Sequence, residues 1–108
     1  MAFEVFLTDD AARDIEGLYD YIARRDAPGK ADNALAQIEK ALASLSKFPG
    51  RGVYPRELSA LGIRDYREIF FKPYRIIYRV TEEAVYVYLI VDGRRDMQAL
   101  LQRRLLET

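Results

Sequence analysis

The stretch that decides the fold reads Tyr74-Arg75-Ile76-Ile77-Tyr78-Arg79-Val80, then Thr81-Glu82-Glu83-Ala84, then Val85-Tyr86-Val87-Tyr88-Leu89-Ile90-Val91. Two runs of β-branched and aromatic residues flank a short polar turn, the pattern of an antiparallel hairpin. In the first run Tyr74, Ile76, Tyr78 and Val80 share one face and Arg75, Ile77 and Arg79 the other. In the second, Val85, Val87, Leu89 and Val91 alternate with Tyr86, Tyr88 and Ile90. Both faces of this second strand are apolar, which predicts a central strand covered on both sides.

Upstream, Lys72-Pro73 makes a turn and Arg64–Phe71 reads as a further strand, giving a three-stranded meander. Residues 49–62 hold Pro49, Gly50, Gly52, Pro55 and Gly62, so they read mostly as loop. Before them the periodicity is helical. Ala11, Ile15, Leu18 and Ile22 form an apolar stripe behind an N-cap at Thr8 and acidic Asp9 and Asp10. Pro28 ends that helix near Asp26 and suits the first turn of the next. The second helix carries Ala31, Leu35, Ile38, Leu42 and Leu45 and stops at Phe48-Pro49-Gly50. Phe3–Leu7 reads as an N-terminal strand. After the meander, Asp92-Gly93-Arg94-Arg95 is a loop, and Asp96 caps a last helix bearing Met97, Leu100, Leu101 and Leu105. The order β-α-α-β-β-β-α predicts one α+β domain over residues 1–108. In it an N-terminal strand, an antiparallel helical hairpin packed on a mainly antiparallel four-stranded sheet and a short C-terminal helix come together, with the helices on one face.

Composition narrows the chemistry. The 108 residues contain no Cys and no His. That removes disulfides, a thiolate nucleophile and the commonest neutral-pH base and metal ligand. Seventeen basic residues balance seventeen acidic ones, whereas a protein built to grip a phosphate backbone carries a basic excess. The N-terminus lacks the pattern of a signal peptide, and no apolar run approaches the ~20 residues needed to span a bilayer. A cytoplasmic protein with no cofactor, no metal, no membrane association and no direct nucleic-acid binding is expected.

The run Tyr74–Val80 resembles the core strand of the RelE/ParE toxins. Gly93-Arg94-Arg95-Asp96, followed by Leu100-Leu101 and Arg104-Leu105-Leu106, resembles the C-terminal signature of the ParE branch. Asp14-Ile15, Tyr19–Ala23, Phe48-Pro49 and Pro55-Arg56-Glu57-Leu58 resemble that branch as well. The resemblance covers nearly the whole chain. It implies the toxin of a type II toxin–antitoxin pair, neutralised by a ParD-like antitoxin and poisoning DNA gyrase. The alternatives it leaves are a ribosome-dependent mRNA endonuclease of RelE type and an inactive remnant that only partners the antitoxin.

Set against the RelE-type nucleases with their strand arginine on Arg75, the loop arginine falls on Arg95. The lysine pair falls on Tyr66 and Glu68, and the C-terminal tyrosine on Leu101. Glu68 places negative charge where a phosphate should sit, and Leu101 carries no proton, so no catalytic residue is expected. A nuclease would have to rely on Arg75, Arg95 and Tyr78 or Glu68.

The candidates for holding a target or antitoxin are Arg75, Tyr78, Arg94, Arg95, Leu101, Arg104 and Leu105. Each has a plainer reading. Arg75 and Arg79 can pair across the sheet with Glu68 or Asp65. Arg94 and Arg95 can pair with Asp92 and Asp96, and Arg103 and Arg104 can oppose the dipole of the last helix. Most of the eight tyrosines pack in a core, and a few line a binding surface. The segment Arg94–Arg104, four arginines against one aspartate, is the one clear charge asymmetry.

Overall fold

A computed structural model describes residues 2–107. Strand β1 (Glu4–Leu7) is followed by α1 (Asp9–Arg25) and α2 (Pro28–Lys47). A 3-10 turn at Pro49–Arg51 and a short helix α3 (Arg56–Ser59) lead to β2 (Arg67–Phe71), β3 (Tyr74–Val80) and β4 (Ala84–Asp92). The chain closes with α4 (Met97–Leu101), which widens into a π-helical turn at Gln102–Leu106. The expected order is observed, with α3 added.

Local chemistry sets the helix ends where the sequence placed them. The Thr8 hydroxyl accepts from the Ala11 amide at 3.1 Å and caps α1. Pro28 is the first residue of α2, where its missing N–H costs nothing. Residues 49–62 are less irregular than expected, because Leu58 is buried and one helical turn forms around it. Gly62, at φ 78°, lets the chain leave that turn, with the Ile63 amide closing on the Leu58 carbonyl at 2.9 Å.

The sheet order is β1-β4-β3-β2. β2 and β3 pair antiparallel, as do β3 and β4, while β1 lies parallel to β4 with Phe6 opposite Tyr86. The sheet is therefore mixed. A parallel partner for β1 requires a long crossover, and the α1–α2 hairpin supplies it. The hairpin is stitched to β1 where the Phe3 amide donates to the Ser46 carbonyl and the Ser46 hydroxyl donates to the Phe3 carbonyl, both at 2.8 Å.

Two apolar layers sandwich the sheet. On the hairpin side Ala11, Ile38 and Leu45 pack on Ile69, Ile76, Tyr78, Val85, Val87 and Ile90. On the other side α3 and α4 deliver Leu58, Met97, Leu100 and Leu101 onto Ile77, Leu89 and Val91. The helices thus cover both faces, which corrects the expectation of a single helical face. The ladder between β3 and β4 also carries a register shift, where Ile77 pairs with Leu89 but Tyr78 pairs with Val87. Tyr88 is the extra residue, so the alternation of β4 changes phase at this bulge. Val85 and Val87 face the hairpin, and Leu89 and Val91 face α4. Strict alternation would have put all four on one side.

Candidate functional site

Arg75 leaves β3 toward the α4 side of the sheet. Glu68 lies diagonally across from it on β2, and Glu57 reaches down from α3. Arg75 Nε donates to Glu68 Oε1 at 2.6 Å, while its two terminal nitrogens donate to Glu57 Oε1 and Oε2 at 2.8 and 2.9 Å. Arg75 and Glu68 are 9% and 4% exposed. Gly93 packs on the stem of Arg75, where a Cβ would stand 2.8 Å from its Cδ. Two carboxylates therefore over-neutralise one guanidinium. The hydrogen bonds that Arg75 donates hold the Glu57 carboxyl down at about 2, and the Glu57 and Glu68 carboxylates that accept them push the Arg75 guanidinium higher still. Glu57 was given no role from sequence, because nothing local links it to a residue 18 positions away.

A pH dependence follows from Glu57. Its folded pKa lies below the usual 4.5, so between about pH 4.5 and 2 the unfolded chain binds more protons than the folded one. Stability from this pair is fully present above pH 4.5 and falls as pH drops toward 2. Urea unfolding of wild type and Glu57→Gln will show a wild-type advantage at pH 7 that shrinks toward pH 3. An advantage independent of pH over that range would refute the assignment.

Tyr78 lies on the opposite face and is fully buried. Its hydroxyl donates to the Pro49 carbonyl at 2.7 Å and accepts from the Gly52 amide at 2.9 Å. Burial pushes its pKa up. It fastens the Pro49–Gly52 loop to the sheet, so it is corrected from a surface candidate to a structural residue. Gly52 tolerates no side chain there, since a Cβ would lie 2.5 Å from that hydroxyl and 2.7 Å from the Glu68 carbonyl oxygen.

The C-terminal candidates separate in the same way. Leu101 is fully buried, and Leu105 is half-buried against the same cluster. Arg104 was expected to answer a helix dipole or a partner. It instead grips Asp14 of α1 through both terminal nitrogens, at 3.2 and 2.9 Å, and donates to the Tyr88 carbonyl at 2.9 Å. Asp14 also accepts from the Ile90 amide at 3.1 Å, so one carboxylate ties α1, β4 and the last helix together. Arg79 pairs with Asp65 at 3.9 Å, the plain sheet reading.

Arg94 and Arg95 remain at the surface. Arg94 curls onto Asp92 through its amide, Nε and Nη2 at 2.6–3.2 Å, yet its side chain is 79% exposed. The Arg94 hydrogen bonds lower the Asp92 pKa. Asp96 serves as the α4 cap, accepting from the Ala99 amide at 3.1 Å. Arg95 is exposed and has no acidic partner among the described residues. The two arginines stand at the rim of an open cleft of about 560 Å³ between α1 and the ends of β3 and β4. Its wall includes Gly17, Leu18, Tyr21, Tyr74 and Ile90. Tyr21 is exposed and lies under the Arg25 guanidinium, 5.6 Å from the ring centre. Of the seven sequence candidates the cleft gathers only Arg94 and Arg95 at its rim.

Comparison with known proteins follows the same lines. A family model described as the ParE toxin of the type II toxin–antitoxin system, parDE, matches residues 5–97. Among solved structures, the chain resembles one from the chromosomal ParDE toxin–antitoxin system of P. aeruginosa. The TM-score is 0.70 at 19% identity, covering 84% of this chain and 96% of that one. It also resembles a chain of the RelBE2 toxin–antitoxin complex of Mycobacterium tuberculosis, with a TM-score of 0.57 at 22% identity over 85% and 92% of the two chains. The search of curated proteins gives no match. At these identities the two structures share the fold, which by itself does not choose an activity.

Proposed function

The chain belongs to the ParE toxin family of type II toxin–antitoxin systems, and we propose that it arrests growth by binding and poisoning DNA gyrase, not by cutting RNA. A ParD-like antitoxin neutralises it in the cytoplasm. The observation that carries the non-nuclease reading is the Arg75 cluster. Cleavage by attack of a ribose hydroxyl needs cations free to stabilise the charge developing on phosphorus, and a base and an acid near it. Arg75, the strand arginine that resembles the nuclease residue, is already shared by Glu57 and Glu68, and a phosphate arriving there would meet net negative charge. Arg95 is exposed, but no base or acid among the described residues stands ready beside it. Tyr78 is buried on the far face and Leu101 lies in the core. The gyrase target comes from the family resemblance.

Inducible expression in bacteria tests the reading, with cell shape, DNA-damage response and ribosome-bound mRNA followed in one culture. Growth arrest with filamentation, a damage response and intact mRNA is expected, together with rescue by a co-expressed ParD-like protein. Rapid translation arrest with mRNA cut on ribosomes would replace this reading with the RelE-type one. Undisturbed growth would leave an inactive antitoxin partner.

A further inference from the structure

The cations on this neutral chain are unevenly placed. Residues 51–79 carry seven basic side chains against three acidic ones. The fold then spends all three acids internally, Glu57 and Glu68 on Arg75 and Asp65 on Arg79. Arg51, Arg56, Arg64 and Arg67 are left without a carboxylate partner among the described residues, and the first three are exposed. Three of them, Arg56, Arg64 and Arg67, lie near one ring, while Arg51 donates to the Ser44 hydroxyl. Arg64 and Arg67 stand over Tyr54 at 5.5 and 4.6 Å from its centre, and Arg67 Nη2 donates to the Tyr54 hydroxyl at 3.2 Å. Arg67 also donates to the Gly52 carbonyl at 2.9 Å, which brings it beside Arg51. Arg56 lines a shallow hollow of about 410 Å³ with Val53, Tyr54 and Phe70, next to the paired Glu68 and Arg75 and to Gly93, and Val53 and Phe70 are more than half exposed. The C-terminal arginines, by contrast, are partly satisfied internally by Asp92 and Asp14. This loop therefore carries a local excess of positive charge.

We propose that the Tyr54 arginine cluster is a docking surface for an acidic segment of a partner protein carrying apolar anchors. Charge complementarity calls for an anion. Two features select a protein over a nucleic-acid backbone. Every cation in the cluster is Arg and it is interleaved with exposed Tyr, Val and Phe, the composition of protein interface centres. An alternating acidic and apolar strand would also set carboxylates on guanidinium forks and side chains on Val53 and Phe70, whereas a phosphate backbone offers nothing to that apolar ground. The surface stands apart from the toxin reading and is tested without growth.

The probe is a short labelled peptide alternating Glu with Leu and Phe, titrated by fluorescence anisotropy. The same peptide with Gln for Glu and a labelled DNA duplex serve as comparisons. The Glu peptide is expected to bind at low salt at least about tenfold more tightly than the Gln peptide. The double variant Arg56→Glu/Arg64→Glu should lose at least about tenfold of that affinity. Both side chains are exposed and make no side-chain hydrogen bond or ion pair among the described residues, so the variant should melt with wild type. Equal binding of both peptides, unchanged binding by a folded double variant, or tighter binding of the duplex than of the Glu peptide would each overturn the proposal, the last in favour of a nucleic-acid surface.

Discussion

Arg75→Met will cost the folded protein about 3–5 kcal/mol at neutral pH, enough to remove much of the stability of a domain this size. The substitution keeps the bulk of the side chain that packs under Gly93 but deletes the only cation between two carboxylates. Glu68, nearly fully buried, is then left charged without a partner, and Glu57 repels it across the gap. Desolvation of an unpaired charge dominates here, far exceeding the ~0–1 kcal/mol of an exposed pair such as Arg79–Asp65. Urea midpoints read the effect. The companion variant Arg75→Met/Glu57→Gln/Glu68→Gln removes the charges along with their counter-ion and should recover most of the loss. A single variant with the wild-type midpoint would show that the cluster contributes nothing to the fold and would reopen a role for Arg75 on a ligand.

Leu101→Ala will lower stability by about 2–5 kcal/mol and the melting temperature by about 10 °C or more. Leu101 is fully enclosed by Ile77, Leu89, Met97 and their neighbours. Removing its branched end opens a cavity that a layer only one short helix thick closes poorly. Leu106→Ala, at an exposed position one turn further on, should change stability by under about 0.5 kcal/mol. Together they separate two explanations of any lost toxicity. If Leu101 acts through the core, the variant loses folded protein and activity together. A Leu101→Ala protein that melts with wild type yet has lost activity would restore it as a contact residue.

Much of this architecture was legible in sequence because its signals are local. Helix α1 is announced by Thr8, two acidic residues and a stripe of period 3.6, and the Pro28 start and Pro49 stop of α2 involve neighbours in the chain. The strand β3 reads directly from its alternation, and Arg79 with Asp65 follows from ordinary cross-strand chemistry. The helix α3 escaped notice because one turn around a single leucine has no periodicity to show.

The charged residues were a different matter. The arginines of the C-terminal segment looked like one basic patch, yet Arg104 belongs to Asp14, 90 residues away, and Arg94 to Asp92. Arg75 belongs in large part to Glu57, which lies in a stretch read as loop. The arginines around Tyr54 were given no role from sequence, although their segment holds more basic than acidic residues. Only the fold revealed that the three acids of that segment are spent on Arg75 and Arg79. By itself, then, the sequence determined the element types, their order and the chemistry that is excluded, because backbone propensity, capping and hydrophobic period act over a few residues. Tertiary structure alone decided which faces α4 and the hairpin cover, and which charges remain free for a partner. Pairing depends on distance in space, and a chain read in order does not contain that distance.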